Sequence, residues 1–268
     1  MRTNLSSQIT LTRISKRYYQ PDDVFELSRV TRFEKVATEI FENEKDGSLK
    51  IAEEIAELIK SKQATGENCI LGLTNGKSTV GIYNELIRLH KKAELSFKNV
   101  IVFNLFEYYP LNNTTKSCLA QMHEMLFDHI DIPADNIYSP DGMLDKSEIM
   151  GACKSYEQKI ADFGGIDLQI LGIGRSGNIG FNEPGSQANS GTRLILLDNI
   201  SRKDAAELFG SVESVPISAI TLGVGTILKA KKIILAAWGE HKTSVIKSAV
   251  EGAVSEHTPA SYLQLHSN

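Results

Sequence analysis

Short apolar runs alternate with amphipathic stretches along most of this chain, and this alternation restricts the possible folds more than any other feature. The apolar runs that predict buried strands are 68–73, 99–103, 167–172 and 232–238. Amphipathic stretches that follow the first and the last of them, 80–93 and 240–252, predict helices. Strands that alternate with helices pair in parallel through right-handed crossovers. The sequence therefore predicts an α/β fold with a doubly wound, mostly parallel sheet and helices on both faces.

A change in composition near residue 30 divides the chain. Residues 1–30 are rich in Ser, Arg and Tyr and are expected to form an irregular N-terminal leader. The apolar spacing over residues 31–62 predicts two helices joined near 44–48. No linker or low-complexity segment interrupts the alternation beyond that point, and 268 residues suit one large α/β domain. Residues 31–268 are therefore predicted to form a single domain.

The charge balance and the cysteines limit the classes of partner. Lys and Arg number 29 against 33 Asp and Glu, a net charge of −4, so nucleic acid is not an expected partner. Local N–H groups and cations can still bind a small anion. Cys69, Cys118 and Cys153 form no C-x-x-C pair, which predicts no disulfide framework, no cysteine-bound metal and a cytoplasmic location. No apolar run reaches the ~18–20 residues of a membrane helix, so no membrane partner is expected.

Ligands of doubly wound sheets bind outside the carboxyl ends of the strands. The first loop there, residues 74–79, leads into a predicted helix, whose N–H groups and dipole favour a phosphate. Its candidate ligand-binding residues are Asn75, Gly76, Lys77 and Ser78. A nucleotide-binding loop needs G-x-x-x-x-G-K-[ST], whereas only three residues separate Gly72 from Gly76. A site for a single phosphate is favoured over a capped helix without a ligand and over a nucleotide hydrolase.

The other loops carry weaker indications. Asn104 and Glu107 follow the second predicted strand, where an amide and a carboxylate can hold sugar hydroxyls. Glu107 can also act as a general base; the alternative is a solvated carboxylate. The third loop has G-x-G-x-x-G at 172–177, but Pro184 interrupts any following helix, so no dinucleotide is expected. Lys242 begins the last predicted helix, where a cation is unfavourable unless an anion is bound; the alternative is a solvated lysine.

Taken in order, these segments resemble the glucosamine-6-phosphate deaminases, relatives of the 6-phosphogluconolactonases, over about residues 35–266. The matching segments are Leu71-Gly-Leu, Leu95-Ser-Phe-Lys-Asn-Val, Phe103-Asn-x-x-Glu-Tyr, Phe127-Asp-His-Ile-Asp-Ile-Pro, Gly172-Ile-Gly, Phe181-Asn-Glu-Pro, Thr221-x-Gly-Val-Gly-Thr and Leu263-Gln-Leu-His. Together, in this order, they are specific for the family, although each alone is weak.

The resemblance implies a Rossmann-like fold of the deaminase type and the conversion of glucosamine 6-phosphate to fructose 6-phosphate and ammonia. It implies a role in amino-sugar metabolism, a phosphorylated hexosamine or hexose as the ligand, and no cofactor or metal. It further implies a phosphate cradle at 75–78 and contact of Lys242 with the phosphate, and it matches Glu183 to the glutamate of the family's F-N-E-P segment.

Departures from the family pattern fall on the groups that move protons. The aspartate that shuttles a proton in the family corresponds to Phe106, a second aspartate to Ser176, and the ring-opening histidine to Asn178. A positioned general acid or base contributes typically ~10²–10⁴-fold, so these losses should nearly abolish the family reaction. Glu107 and Glu183 remain as the candidate catalytic carboxylates of these motifs.

Two further departures concern the phosphate and the chain end. The family's phosphate-binding arginine corresponds to Glu207, with Arg193 and Arg202 as candidate substitutes. The family continues into one more strand than this sequence, which predicts either a further C-terminal domain or a sheet edge completed otherwise, for example in a homo-oligomer. Three hypotheses follow: a deaminase or isomerase of altered chemistry, a degenerate sugar-phosphate-binding or regulatory module, and, remotely, a nucleotide hydrolase.

Overall fold

Five parallel strands form the main sheet of the computed structural model, which describes residue 18 and residues 20–268. The strands of the described chain are β1 (Cys69–Leu73), β2 (Val100–Asn104), β3 (Phe106–Tyr109), β4 (Ile137–Tyr138), β5 (Leu168–Leu171), β6 (Arg193–Leu196), β7 (Ser218–Thr221) and β8 (Lys232–Leu235). The main sheet has the order β4-β2-β1-β5-β8, and every pair in it is parallel. The predicted parallel sheet is confirmed, and each of the four predicted strands lies in it.

Helices cover both faces of this sheet, as predicted. The helices of the described chain are α1 (Val24–Thr31), α2 (Glu44–Ala64), α3 (Val80–Lys91), α4 (Cys118–Met125), α5 (Ile149–Asp162), α6 (Asn199–Phe209), α7 (Val224–Ile227) and α8 (Thr243–Val250). Ile55 of α2, Tyr83 of α3 and Met122 of α4 are buried in the core on one face. Ile160 of α5 and Ala249 of α8 are buried in the core on the other. Apolar burial on both sides explains why these strands have no polar alternation.

A second, three-stranded antiparallel sheet with the order β3-β7-β6 was not predicted. Leu105 joins it to the main sheet, because its N–H donates to the carbonyl of Leu73 (2.9 Å) and its carbonyl accepts from the N–H of Leu222 (2.9 Å). The two edge strands of the second sheet have only four residues each and are only partly buried. Strands so short and so mixed in polarity leave little periodicity in the sequence.

The prediction of two helices joined near 44–48 is wrong. Residues 32–43 form no helix, and residues 44–48 are instead the first turn of the continuous helix α2. Asn43 starts this helix, because its side-chain oxygen accepts a hydrogen bond from the N–H of Asp46 (3.0 Å). Gly47 lies inside this helix.

Part of the expected N-terminal leader is helical. Residues 24–31 form α1, which starts where Asp23 accepts a hydrogen bond from the N–H of Glu26 (2.8 Å). The leader prediction for residues 1–17 and 19 lies outside the described residues. The single domain and the missing last strand stay predictions. At the outer strand β8, the N–H of Ile233 donates to the carbonyl of Asn268 (3.1 Å).

No helix within residues 20–268 is long and apolar enough to cross a membrane.

Gly47 allows the indole of Trp238 to pack directly against the backbone of α2. A Cβ at this position would lie 2.4 Å from Cη2 of Trp238, closer than atoms can approach. The same indole donates from Nε1 to the carbonyl of Ser78 (2.9 Å). Gly47 and Trp238 together therefore fix the end of the loop at 74–79 relative to α2.

We expect Gly47→Ala to destabilise the protein by ~1–3 kcal/mol, because displacing a packed ring costs more than the roughly 1 kcal/mol of helix propensity that Ala provides. Gly151→Ala in α5 is the matched control, since a Cβ there has no neighbour within 4 Å and should stabilise by ~0.5–1 kcal/mol. Urea unfolding of the two variants measures both effects. Equal stability of the two variants would contradict the packing role of Gly47.

Candidate functional site

The loops that follow β1, β2, β5 and β8 all lie at the carboxyl edge of the main sheet. The loop at 74–79 is held by three contacts to its backbone. Tyr83 donates from its hydroxyl to the carbonyl of Thr74 (2.7 Å), Thr79 donates to the carbonyl of Gly76 (3.0 Å), and Trp238 donates to that of Ser78. The candidate cradle is therefore fixed in place from α3 and from the loop after β8.

The predicted cradle residues lie at the start of a helix, where N–H groups lack partners within the helix itself. A 3-10 turn at Lys77–Thr79 leads directly into α3. Gly76 has φ +150°, a conformation that side chains disfavour, so glycine is needed there. Asn75 donates from Nδ2 to the side-chain oxygen of Gln121 (2.9 Å), which orients its amide. This arrangement suits a single anionic group at the helix start.

Lys77 does not lie over the cradle as a fixed cation. Its side chain is 99% exposed, and its Nζ lies 3.6 Å from a carboxylate oxygen of Glu207 on α6. An ion pair this exposed contributes little to stability because water and salt screen it. Lys77 is therefore free to exchange partners.

Glu107 has a structural role. It is 2% exposed, and its carboxylate accepts hydrogen bonds from the N–H groups of Tyr108 (2.9 Å), Cys118 (2.8 Å) and Leu119 (3.1 Å). Two of these donors are the first residues of α4, so the carboxylate caps that helix. Burial raises its pKa, and the three N–H groups oppose the rise. A carboxylate with its oxygens so occupied is not placed to act as the general base considered from the sequence.

We expect Glu107→Gln to destabilise the protein by ~1–3 kcal/mol, because an amide NH₂ would face a buried N–H donor and leave it unpaired. Glu124→Gln, on the exposed side of the same helix, should change stability by less than ~0.5 kcal/mol. Thermal and urea unfolding measure the difference. A Glu107→Gln variant as stable as the control would show that the cap is unimportant.

Phe106, which the resemblance matches to a proton-shuttling aspartate, packs into an aromatic group. Its ring centroid lies 4.2 Å from that of Phe181, which in turn lies 5.2 Å from that of Tyr108. Phe181 is 8% exposed. The space that a carboxylate would occupy therefore belongs to hydrocarbon, which can neither accept nor donate a proton.

Ser176, Asn178 and Glu183, named from the sequence as separate positions of one loop, meet in a buried cluster. The Ser176 hydroxyl lies 2.8 Å from Oδ1 of Asn178 and 3.4 Å from a carboxylate oxygen of Glu183. Asn178 donates from Nδ2 to the carbonyl of Gly180 (2.9 Å). Gly174 is needed here, because a Cβ on it would overlap the Asn178 amide. Since a hydroxyl has one hydrogen, both Ser176 contacts are satisfied if a protonated Glu183 donates to Ser176.

Burial raises the pKa of the Glu183 carboxyl from 4.5 to about 7, and the nearby charge of Asp198 adds to the rise. Glu183 is 8% exposed. A carboxyl that is substantially neutral near pH 7 can donate as well as accept a proton. Glu183 is therefore a candidate catalytic residue of the sequence whose pKa lies near 7.

Glu183 should make the protein less stable as pH rises. Its folded-state pKa lies above the unfolded value, so its favourable contribution is complete below pH 4.5 and is lost as pH rises through about 7. Glu183→Gln should remove this dependence and stabilise the protein at pH 8 by up to ~3 kcal/mol, at about 1.4 kcal/mol per pKa unit. Unfolding from about pH 5 to pH 8 measures it.

The exposed Glu57→Gln variant is the control, and it should keep the parent's pH profile. A Glu183→Gln profile that parallels the parent's would contradict the raised pKa.

Lys242 lies against the loop that follows β5. Its Nζ donates to the carbonyl of Ile173 (2.7 Å), and burial lowers its pKa. Two residues further along that loop, the guanidinium of Arg175 forms a double hydrogen bond with the carboxylate of Asp204 on α6. Sequence reasoning missed both Arg175 and Asp204. Their pairing joins a loop to a helix 29 residues away, and no local pattern indicates it.

The two arginines suggested as replacements for the family's phosphate-binding arginine both donate hydrogen bonds to protein groups. Arg193 donates to the side chains of Asn182 (2.9 Å) and Ser186 (2.9 Å). Arg202 donates to the carbonyl of Val212 (2.8 Å), beyond the end of α6. Both guanidinium groups therefore hold protein segments together.

Asn104, the last residue of β2, has a buried amide that suits the binding of a small polar group. It is 2% exposed, and neither atom of its amide has a hydrogen-bond partner among the described residues. A buried amide in this state is costly unless a small polar group satisfies it.

No group of three or more His, Cys, Asp or Glu within residues 20–268 is arranged to hold a metal ion.

Comparison with known proteins defines the class to which this fold and site belong. The family of glucosamine-6-phosphate isomerases and 6-phosphogluconolactonases matches residues 42–268. This chain belongs to that family.

Individual relatives agree with this assignment. A glucosamine-6-phosphate deaminase-like protein of Bacteroides thetaiotaomicron is 56% identical over the whole of this chain, which spans 41% of that relative's length. The glucosamine-6-phosphate deaminase of Shewanella woodyi is 45% identical over 222 residues, 82% of this chain and 83% of the relative.

Solved structures confirm the fold. A monomeric glucosamine-6-phosphate deaminase of the NagB superfamily superposes with a TM-score of 0.79 and 38% identity, covering 84% of this chain and 92% of that one. The 6-phosphogluconolactonase of Thermotoga maritima has a TM-score of 0.60 at 19% identity, covering 81% of this chain and 90% of that one. At that identity the second likeness concerns the fold alone.

Proposed function

We propose that this chain binds a phosphorylated hexosamine or hexose at the carboxyl edge of its main sheet and has little or no glucosamine-6-phosphate deaminase activity. One observation carries the proposal. The candidate cradle at 75–78 and Lys242 are present, whereas the positions to which the resemblance assigns proton transfer are Phe106, Ser176 and Asn178. The chain is then a sugar-phosphate-binding or regulatory member of a family of enzymes.

The binding half of the proposal is supported by the cradle and by Lys242. The turn at 76–79 presents the start of α3, which favours an anion through its N–H groups and its dipole. Lys242 lies beside the loop after β5, at the same edge of the sheet. The unpaired amide of Asn104 supplies a polar group that a sugar hydroxyl could satisfy.

The catalytic half is supported by the surroundings of the substituted positions. Phe106 lies in an aromatic group, and the Asn178 amide cannot take up a proton as an imidazole does. Glu107 caps α4 and has no free oxygen for a substrate. Since each positioned acid or base contributes ~10²–10⁴-fold, the loss of two should leave at most a trace of turnover.

A weak deaminase is the second candidate, and Glu183 is the observation that favours it. Its raised pKa of about 7 suits a general acid, and its contact with Ser176 joins it to the substituted cluster. The nucleotide hydrolase hypothesis gains nothing, because the Lys77 side chain extends into solvent. A cytoplasmic location and an added domain or oligomer stay predictions.

We expect glucosamine 6-phosphate and fructose 6-phosphate to raise the melting temperature and glucosamine to leave it unchanged. A ligand at 100 times its Kd stabilises a protein by about 2.7 kcal/mol. Ammonia and fructose 6-phosphate should stay at background in the same solutions at high protein concentration. No shift with any sugar phosphate contradicts the binding role, and steady ammonia release contradicts the loss of catalysis.

The variant Phe106→Asp/Ser176→Asp/Asn178→His is the matched control for that assay, because it restores the residue types that the resemblance implies. Its release of ammonia under conditions in which the parent releases none assigns the loss to these positions. Lys242→Gln should reduce the thermal shift, since the lysine provides a charged donor at the anion site.

A further inference from the structure

Two ion pairs connect α6 to the loops of the candidate site. Asp204 binds Arg175 of the loop after β5, and Glu207 lies 3.6 Å from Lys77 of the loop after β1. Residues three apart lie on the same face of a helix, so one acidic face of α6 meets cations from two loops. The charge arrangement is therefore opposite to the family pattern, in which the resemblance places an arginine at position 207.

The loop that carries Arg175 also contacts Lys242. The carbonyl of Ile173, two residues before Arg175, accepts the hydrogen bond from Nζ of Lys242 (2.7 Å). The charges also influence one another, because Asp204 raises and Arg175 lowers the pKa of Lys242. These three charged groups therefore form one cluster beside the loop after β5.

We propose that Arg175 is a phosphate-binding residue of this site and that Asp204 holds it in the unliganded chain, so that the ligand's phosphate and Asp204 compete for one guanidinium. This inference rests on the proposed sugar-phosphate function and adds the residue that replaces the family's arginine, together with the helix that controls it.

The exchange breaks and forms hydrogen bonds only. A guanidinium presents the same pair of N–H donors to a carboxylate and to a phosphate. The side chains of Arg175 and Asp204 are 54% and 46% exposed, so solvent weakens the pair and water can take over the released carboxylate. A phosphate carries up to two negative charges against one on Asp204, and the neighbouring Lys242 favours it further.

Competition predicts opposite effects for the two members of the pair. Calorimetric titration with glucosamine 6-phosphate at low salt should give a Kd raised ~5–20-fold in Arg175→Gln, since a double charge-assisted hydrogen bond is lost. Asp204→Asn should lower the Kd ~3–10-fold, because the competing anion is removed while the side-chain shape is kept.

The double variant Arg175→Gln/Asp204→Asn decides between competition and a general effect of charge. If Asp204 acts by holding Arg175, removing Asp204 has no further effect once Arg175 is gone, and the double variant matches Arg175→Gln. Arg88→Gln breaks a comparable surface pair with Glu85 on α3 and should leave the Kd unchanged.

The outcomes separate this inference from the proposed function. Binding that Lys242→Gln weakens but that Arg175→Gln and Asp204→Asn leave unchanged overturns the inference and leaves the sugar-phosphate function standing. An undiminished effect of Asp204→Asn in the Arg175→Gln background also overturns it. No binding of glucosamine 6-phosphate or fructose 6-phosphate by the parent and by Asp204→Asn overturns both.

Discussion

Parallel pairing of β1, β2, β5 and β8 with one another and with β4 is the constraint on which the rest of the structure depends. It brings the carboxyl ends of strands that are far apart in the sequence to one edge, where the loops after β1, β2, β5 and β8 lie. Apolar packing from helices on both faces holds the strands in that order. The contact of Trp238 with Ser78 then ties the loop of one strand to that of another.

The sequence predicts those parts of the fold that depend on patterns of neighbouring residues. Buried parallel strands are continuous apolar runs, so β1, β2, β5 and β8 were visible in the sequence. The joint expected near 44–48 was wrong, because these residues begin a continuous helix. Gly47 within that helix contacts Trp238, which is 191 positions away and which a helical pattern does not indicate. The second sheet was missed because its strands are short and its two edge strands are only partly buried.

The candidate site likewise has parts that the sequence indicates and parts that it does not. The cradle at 75–78 could be proposed because glycine, polar residues and a helix start are neighbours in the chain. The role of Glu107 could not, since its partners are backbone groups of α4 rather than a side-chain pattern. The pairing of Arg175 with Asp204 depends on how α6 packs over the loops, and only the structure shows it.

The site thus joins a helix start and Lys242 at one edge of the sheet. An aromatic ring and two small polar groups stand at the positions to which the resemblance assigns proton transfer. A crystal structure of the protein grown with glucosamine 6-phosphate tests this most directly. We predict an intact amino sugar with its phosphate at residues 75–78 and beside Lys242. A phosphate bound elsewhere, or fructose 6-phosphate formed from the added amino sugar in the site, would contradict the account.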